Sequence, residues 1–425
     1  MADVSEEAPA GKIDTTCCIA GGGPAGMMLA LLLARAGVDT VILEKHSDFL
    51  RDFRGDTIHP STLEVMRELG LDRKLLALPH QKIETLSVSI GGMDTMIADM
   101  RHLPVKHRFI MQVPQWDFLD FLAGEGERLP TFRRLMDAEA IDLAVEGGIV
   151  RGLVADTLEG RLEVRADLVV DASGRGSILR GKAGLAVRDL GAPIDVFWFN
   201  LPFRPGDDER TGGRFEAGGL FVQIFRGDYW QCAYVIPKGS ADTIRAAGIE
   251  AFRTRISAFD PFEPERSRAL RSFDDVKLLT VTVDRLERWY RAGFLCIGDA
   301  AHAMSPVGGV GINLAIQDAV AAANQLAIPL RDGKLTTADL AAVQKRRLFP
   351  TRVVQAGQVF AHRNILQPVL TAKSIPRPPA PVRLIDRFPR LARIPARLIG
   401  IGIRPEHVRS PLAAGAQAPA PSLGA

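Results

Sequence analysis

The sequence predicts an α/β protein in which a doubly wound, nucleotide-binding domain is interrupted by a mostly antiparallel β-sheet domain. Three observations predict this architecture. A glycine-rich turn joins a buried strand to an apolar helix near the N-terminus, residues 195–237 alternate apolar and polar, and strand signals of the parallel type stand on both sides of that block. A helical, proline-rich segment should follow, since 12 of the 27 prolines lie beyond residue 349.

The first predicted element is a βαβ unit. Thr15–Ala20 is an apolar, partly β-branched run typical of a buried strand, and Met27–Ala36 is an Ala- and Leu-rich run that predicts a helix. Glycines in the turn between them permit a tight bend, close approach of a pyrophosphate to the backbone and close packing of the helix on the strand. The residues of this G-x-G-x-x-G turn that we predict to bind a dinucleotide are Gly21, Gly23, Pro24, Ala25 and Gly26.

An acidic residue at the end of the next strand supports a dinucleotide site. Val41–Leu43 is the second strand of the unit, and Glu44 follows it, 18 residues after Gly26. A carboxylate at this place accepts hydrogen bonds from ribose hydroxyls. We include the neighbouring Lys45 among the cofactor-binding candidates. A plain glycine-rich turn is the alternative interpretation.

The remaining elements follow from apolar runs and their periodicity. Helices are predicted over His59–Leu69, from Asp117 to Gly124, and from about Ile312 to Leu330. Strands are predicted over Ile149–Val154, Leu162–Ala166, Leu168–Asp171, Val196–Leu201, Leu220–Phe225, Tyr229–Ile236 and Phe294–Ile297.

A second glycine-rich motif precedes the long helix. It consists of Gly298-Asp299-Ala300-Ala301-His302, followed by Pro306-Val307-Gly308-Gly309-Val310-Gly311-Ile312-Asn313. With these residues the sequence resembles the FAD-dependent aromatic hydroxylases, the para-hydroxybenzoate hydroxylase-like, single-component flavoprotein monooxygenases. The resemblance covers roughly residues 14–345 in order and is strongest at the two glycine-rich motifs.

The resemblance implies roles for the second motif. Asp299 should lie on the ribityl chain of FAD, and the loop should set its backbone amides, at Gly309, Gly311, Ile312 and Asn313, against the flavin edge. Negative charge develops at that edge on reduction, and a helix N-terminus stabilises it. We call residues 306–313 the catalytic loop. We expect Pro306 and Gly311 to position the flavin there, and we assign no side chain as general acid or base. His302 is interpreted as structural.

Three weaker matches to motifs of this family occur in the same order along the chain. Arg54 resembles the family's arginine near the FAD pyrophosphate, and Gln112 resembles its glutamine beside the flavin chain. In the stretch 171–180, the usual Asp-Gly of the family is replaced by Ser173-Gly174. A serine here resembles flavin halogenases and isoprenoid reductases, which keeps other flavin reactions open.

The function expected from the resemblance is hydroxylation of an organic, aromatic or bulky apolar substrate. NADPH or NADH would reduce FAD, and O2 would then form a flavin C4a-hydroperoxide. The alternatives are a flavin-dependent reductase or dehydrogenase of an isoprenoid-like or other apolar substrate, and a flavin halogenase. Halogenases carry Trp-x-Trp-x-Ile-Pro, whereas this chain has Cys232-Ala233-Tyr234-Val235-Ile236-Pro237.

Substrate contacts are expected from the alternating block. The candidates are Phe199, Phe221, Gln223, Trp230 and Tyr234. Side chains alternate between the two faces of a strand, so only one parity can face the flavin.

The charge distribution bears on two other classes of function, nucleic-acid binding and membrane contact. The formal net charge is only +3, which argues against a nucleic-acid binder. The segment from Lys345 to Arg409 holds 14 basic and two acidic residues, so the rest of the chain is acidic. Peripheral contact with an anionic membrane through the basic segment is the non-enzymatic alternative, and pairing of its arginines with the acidic body is the simpler interpretation. We expect a monomer or homodimer.

No metal site or disulfide framework is predicted, because the four cysteines lack ligand spacing and lie in apolar runs. The absence of a signal-peptide pattern and of a long uncharged apolar stretch predicts a cytoplasmic protein without a transmembrane segment.

The predicted domain organisation is a disordered N-terminus at 1–12, a discontinuous FAD-binding domain at 13–85, 108–190 and 285–345, a substrate-binding sheet domain at 86–107 and 191–284, a basic C-terminal segment at 346–409, and a disordered tail at 410–425.

Overall fold

A computed structural model describes residues 11–50, 56–207, 209, 211–258, 264–374 and 378–413. The strands described, in chain order, are β1 (Gly11–Ala20), β2 (Thr40–Leu43), β3 (Thr57–Ile58), β4 (Gln81–Ile83), β5 (Thr85–Ile90), β6 (Met93–Asp99), β7 (Ile110–Gln112), β8 (Phe132–Leu135), β9 (Glu139–Glu146), β10 (Ile149–Thr157), β11 (Gly160–Asp171), β12 (Val187–Asp189), β13 (Ile194–Pro202), β14 (Gly212–Glu216), β15 (Gly219–Phe225), β16 (Tyr229–Pro237), β17 (Lys277–Leu279), β18 (Asp284–Leu286), β19 (Tyr290–Arg291) and β20 (Phe294–Cys296).

The α-helices described are α1 (Pro24–Arg35), α2 (Pro60–Glu68), α3 (Asp72–Leu75), α4 (Gln115–Gly126), α5 (Leu179–Lys182), α6 (Ala241–Ala246), α7 (Ile249–Ser257), α8 (Gly311–Arg331), α9 (Thr337–Ala361), α10 (Gln367–Thr371), α11 (Ala380–Arg387) and α12 (Arg393–Gly400). A π-helical turn, His362–Leu366, joins α9 to α10. No helix in the described ranges is both long and apolar enough to cross a membrane.

The first sheet contains the predicted βαβ unit. Its order is β19-β20-β11-β1-β2-β8, and β1 pairs in parallel with both β2 and β11. The strands β9 and β10 extend β11 as an antiparallel arm. The run from Cys17 to Ala20 is fully buried, as expected where helices cover a parallel sheet, and α1 packs against α8 and α4. This topology confirms the predicted α/β fold class.

The second sheet has the order β17-β13-β16-β15-β14-β5-β6 and is antiparallel except where β14 meets β5. One of its faces packs against α6 through Ile244 and against α7 through Phe252 and Ile256. The strands β5 and β6 come from residues 85–99, far from the rest of this sheet in sequence. Two small sheets, β3-β7-β4 and β12-β18, lie between the larger units in the chain.

Several predicted boundaries differ from the structure for local reasons. The chain is a paired strand from Gly11, so Gly11 and Lys12 are not part of a disordered terminus; they pair with Leu162 and Glu163. The two strands predicted over 162–171 are one continuous strand, β11. The predicted N-terminal and C-terminal disorder otherwise falls on residues 1–10 and 414–425, which lie outside the described residues. The remaining domain boundaries stay predictions.

The basic C-terminal segment lies along the first domain and the end of the second sheet. The backbone N–H of Ala413 donates to the Arg35 carbonyl, so residues 410–413 are ordered against α1. Ala396 and Ile401 pack with Met100 and Leu103 in one apolar cluster. A Cβ at Gly400 would lie 2.8 Å from the Leu103 side chain, which shows how closely the segment approaches.

Candidate functional site

The first glycine-rich turn is built for close backbone approach. Gly21 has φ +105°, and a Cβ on it would lie 2.6 Å from the Ala172 carbonyl oxygen. A Cβ on Gly26 would collide with the Gly21 carbonyl. A Cβ on Gly23 would meet nothing within 4 Å, and no side chain caps α1 there. The helix therefore presents uncapped amides to open space, which is the arrangement that binds a pyrophosphate.

Glu44 secures this turn. Its Oε2 accepts a hydrogen bond from the Gly22 N–H at 2.9 Å, and its Oε1 accepts from the His46 N–H at 3.2 Å. A carboxylate at this place could also accept hydrogen bonds from ribose hydroxyls. Lys45 pairs with Glu139 at 3.6 Å on the exposed surface, and its contact with the cofactor stays a prediction.

The two glycine-rich motifs meet at Gly298. This residue has φ +58°, and a Cβ on it would lie 3.0 Å from the Ala25 Cβ at the start of α1. Asp299 follows it, partly exposed, with its carboxylate 3.3 Å from the Arg175 guanidinium. The structure thus brings Asp299 to the side of the uncapped α1 N-terminus.

A buried ionic network holds Gly298 in place from behind. Asp318 accepts hydrogen bonds from the Gly298 N–H at 3.1 Å, from His302 Nε2 at 2.5 Å and from Arg347 Nε at 2.8 Å. Arg347 reaches Glu406 of the C-terminal segment at 3.4 Å. Burial opposes ionisation of Asp318, but His302 and Arg347 offset it and leave its pKa below the usual value. His302 therefore belongs to this buried network, and its interpretation as structural stays a prediction.

The Pro306–Asn313 loop opens α8, whose N-terminus has no side-chain cap. Gly309 has φ +61°, and a Cβ on it would lie 2.8 Å from Thr57 Oγ1. A Cβ on Gly311 would meet nothing within 4 Å, which leaves the amides there accessible. Ile312, partly buried, packs against the first core.

The Asn313 side chain forms hydrogen bonds within the protein, to residues of β3 and of the start of α2. Its Oδ1 accepts from the His59 N–H and the Thr62 hydroxyl, both at 2.8 Å, and its Nδ2 donates to the Thr57 carbonyl at 3.2 Å. It ties β3 and α2 to the start of α8. Only its backbone amide remains a candidate for the cofactor.

Two side chains of the helical C-terminal region hold the residue before Pro306. Gln358 accepts from the Ser305 N–H at 3.1 Å and donates to the carbonyls of Ser305 and Val307 at 3.0 and 3.1 Å. His362 lies 2.8 Å from the Ser305 hydroxyl, and burial lowers the pKa of this imidazole. Sequence reasoning missed this pair, although the spacing of four residues places both on one helix face.

His59 is a second residue that the sequence did not single out. Its Nδ1 donates to the Ile399 carbonyl at 2.8 Å, so Nε2 is the unprotonated nitrogen. Burial lowers the pKa of His59 to about 4, against the opposing effect of that hydrogen bond. Nε2 lies 3.7 Å from the position that a Cβ on Gly309 would occupy. A neutral imidazole therefore faces the catalytic loop.

Gln112 and the 171–180 stretch are the other sequence candidates that the structure describes. Gln112 is buried on β7, accepts from the Thr211 hydroxyl at 3.3 Å, and its Nε2 has no partner among the described residues. The Ser173 hydroxyl donates to the Asp171 carboxylate at 2.6 Å, so Ser173 stabilises the turn instead of supplying a carboxylate. Arg54 lies outside the described residues.

The five predicted substrate residues all lie on one face of the second sheet. The opposite face lies against the loop of residues 306–313. Phe199, Phe221, Trp230 and Tyr234 belong to the buried cluster that includes Phe252 of α7. Gln223 lies on the same strand face as Phe221. This placement corrects the predicted face, since alternation alone does not say which side the helices cover.

The opposite face of the second sheet lies against the catalytic loop. Val307 packs in one apolar cluster with side chains of that face and with Leu366 and Leu370 of the C-terminal region. The strand residues of this cluster are Ile194, Val196, Trp198, Phe215, Leu220, Val222, Ala233, Val235 and Leu279. Asp56 and Arg226 form an ion pair at one end of this face. The Arg226 guanidinium also donates a hydrogen bond to the Gln231 side chain.

These residues fit FAD. The N-termini of α1 and α8 have no side-chain caps and lie beside open glycines, with Asp299 between them. The buried Gln112 side-chain N–H has no acceptor among the described residues. The uncapped N-terminus of α1 would hold the pyrophosphate, and the N-terminus of α8 would face the other end of the cofactor. No group of His, Cys, Asp or Glu in the described ranges could hold a metal ion.

Known proteins agree with this geometry. Residues 14–357 match the family model of the FAD binding domain. Over 408 residues the chain is 33% identical to the 6-methylpretetramide 4-monooxygenase of Streptomyces rimosus, and the match covers 95% of this chain and 96% of that protein. Two solved structures share the fold: PqsL, a probable FAD-dependent monooxygenase from Pseudomonas aeruginosa, with 22% identity and a TM-score of 0.69 over 84% of this chain and 97% of that chain, and p-nitrophenol 4-monooxygenase PnpA from Pseudomonas putida DLL-E4, with 18% identity and a TM-score of 0.72 over 91% and 97%.

The family model covers most of the chain, and the Streptomyces rimosus relative matches 95% of it. The family expected from the two glycine-rich motifs is thereby confirmed. The chain belongs to the FAD-dependent aromatic monooxygenases, the para-hydroxybenzoate hydroxylase-like family, and is an FAD-dependent oxidoreductase.

Proposed function

We propose that the protein uses NADPH or NADH and O2 to hydroxylate an extended aromatic compound of the polyketide type. The observation that carries this proposal is the contact of Val307, in the catalytic loop, with an apolar face of the second sheet. The name of the Streptomyces rimosus relative supports the substrate class. Bound FAD would supply the redox chemistry, and the protein would supply binding, orientation and exclusion of water.

The protein's part begins with cofactor placement. The α1 N-terminus would hold the pyrophosphate, Glu44 the ribose and Asp299 the ribityl chain. The amides at Gly311 and Ile312 would stabilise negative charge at the ring edge, because the N-terminal end of α8 is positive. Gln112 would donate its free amide hydrogen to the cofactor. Pro306 and Gly311 keep the positioning roles expected from the sequence.

Substrate orientation would come from the loop-facing side of the sheet. Trp198, Val222 and Val235 offer apolar contacts there, whereas the Asp56–Arg226 pair lies at one end. An aromatic body would pack on the apolar part with a polar substituent near the guanidinium. Burial lowers the pKa of Arg226 to about 10, which leaves it charged near neutral pH. No side chain is assigned as general acid or base.

The experiment is oxidation of NADPH and of NADH by the purified holoprotein, with and without O2, across aromatic and isoprenoid compounds. We expect oxidation stimulated by a polycyclic aromatic substrate and a product heavier by one oxygen atom. Substrate reduction without O2 would favour the reductase alternative and overturn the proposal. Incorporation of chloride or bromide would favour a halogenase.

Neighbouring residues on opposite faces test the substrate side of the sheet. Val222 and Gln223 are both half-buried, but only Val222 packs with Val307. Val222→Ala should raise KM for the substrate several-fold, while Gln223→Ala should leave it within twofold. The reverse result would restore the face originally predicted from the sequence.

A further inference from the structure

Three arginines from three elements converge on an open pocket outside the flavin site. Arg188 on β12, Arg285 on β18 and Arg352 on α9 line it, and its volume including the mouth is about 430 Å³. Leu286, Glu287 and Leu348 complete the lining. None of these six residues has a role in the proposed reaction.

The fold forces the three positive charges together. Arg188 and Arg285 stand directly opposite each other in the antiparallel pair β12-β18, where like charges are destabilising. Arg352 lies one helical turn after Leu348 and so shares its face of α9. Among the described residues none of the three forms an ion pair, whereas the nearby Arg180 and Arg347 pair with Asp284 and Asp318.

Arg285 is the fixed member of the cluster. It is 8% exposed, and its Nη1 donates to Gln355 Oε1 at 2.7 Å. Gln355 also donates to the carbonyls of Asp284 and Ala303, at 2.6 and 3.2 Å, so Arg285 is anchored to the back of the 298–303 segment. Burial lowers the pKa of Arg285, and the charges of Arg352 and Arg188 lower it further. Arg188 and Arg352 are exposed and free to close on a ligand.

We propose that this pocket binds a phosphate or pyrophosphate group. Guanidinium forks match phosphate oxygens with paired, charge-assisted hydrogen bonds, and a dianion offsets the repulsion among three adjacent cations. Glu287 is the one acidic residue of the lining, so the three arginines leave the six lining residues with a net positive charge. The group can come from the 2′-phosphate of NADPH or from a free phosphate compound. Only the first source rests on the proposed function.

Calorimetric titration with sodium pyrophosphate tests the site itself. The holoprotein is used at low ionic strength, without reductant or substrate. We expect saturable 1:1 binding, weakened at least tenfold in the double variant Arg188→Gln/Arg352→Gln. The control Arg363→Gln removes one charge from an exposed arginine beyond α9 and should leave the affinity within twofold.

Thermal unfolding gives a second readout that a folding defect would not imitate. Without phosphate the double variant should melt at or above the wild-type temperature, because repulsion with Arg285 is relieved. Pyrophosphate should raise the melting temperature of the wild type but not of the double variant. Absence of pyrophosphate binding by the wild type, or equal binding by the double variant, would overturn the proposal.

Titration with NADP+ and NAD+ separates the two sources of phosphate. Selective loss of NADP+ affinity in the double variant would identify the 2′-phosphate as the ligand. Unchanged affinity for both nucleotides, with pyrophosphate binding lost, would identify a free phosphate compound. Neither titration requires turnover, so failure of the proposed hydroxylation would leave these results standing.

Discussion

Replacing Asp318 with asparagine should strongly destabilise the protein. The side chain is fully buried and accepts hydrogen bonds from His302, Arg347 and Gly298. Asp318→Asn keeps the shape but removes the charge. Arg347, 1% exposed, would then face only Glu406 at 3.4 Å.

Breaking a buried ion pair on one side costs about 3–5 kcal/mol. Arg347 keeps Glu406, which also pairs with Arg346, so we expect a loss of stability at the lower end of that range. FAD affinity should fall as well, because Gly298 and Arg347 bond different oxygens of Asp318 and an asparagine side chain has only one acceptor oxygen. The assay is urea unfolding followed by circular dichroism, with flavin fluorescence reporting FAD binding.

The control is Asp332→Asn at the C-terminal end of the same helix. Asp332 is half-exposed and pairs with Arg331 at 3.5 Å, so its loss should change the free energy of unfolding by less than about 0.5 kcal/mol. An Asp318→Asn protein within about 1 kcal/mol of wild type would refute the reasoning.

The pH dependence has a definite sign. The pKa of Asp318 is depressed in the folded state, so its contribution to stability is present above the unfolded pKa and is lost as pH falls through the folded value. In Asp318→Asn this part of the acid-induced loss of stability should be missing.

Other consequences are direct. Gly26→Ala should abolish FAD binding, because its Cβ would collide with the Gly21 carbonyl, while Gly124→Ala, whose Cβ meets nothing, should bind FAD normally in a fluorescence titration. The pKa of His59 is lowered to about 4, so wild-type stability should fall by about 3 kcal/mol between pH 6.5 and 4, and urea unfolding of His59→Asn should lack that slope. Ending the chain at Ser374 should reduce thermal stability more than FAD affinity, and an unchanged melting temperature would contradict this.

Local signals were sufficient for the cofactor turns. The Gly21–Gly26 spacing and the apolar helix behind it specify a turn whose geometry depends on residues within a few positions of one another. The same holds for the 298–302 and 306–313 motifs and for the alternating strands β13, β15 and β16. Backbone sterics and periodicity act over short distances, so a sequence displays them directly.

The contacts that position these turns were not predictable in that way. His59 bonds Ile399, Arg347 meets Glu406, and Gln358 holds Ser305, and the first of these pairs spans 340 residues. Nothing in the composition of either partner indicates the other. The basic C-terminal segment illustrates the limit, because its charge predicts a surface but not which helix it crosses.

The sequence by itself determined the fold class, the cofactor class and the two glycine-rich turns, because glycine sterics and apolar periodicity are local properties of the chain. Only the tertiary structure decided which face of the second sheet meets the catalytic loop, since strand alternation creates two equivalent faces and the covering by α6 and α7 selects between them. It also decided that Asn313 and His302 support the loop from behind, and that Arg188, Arg285 and Arg352 share one pocket. Those outcomes depend on long-range packing, where each residue's partner is chosen by the fold as a whole.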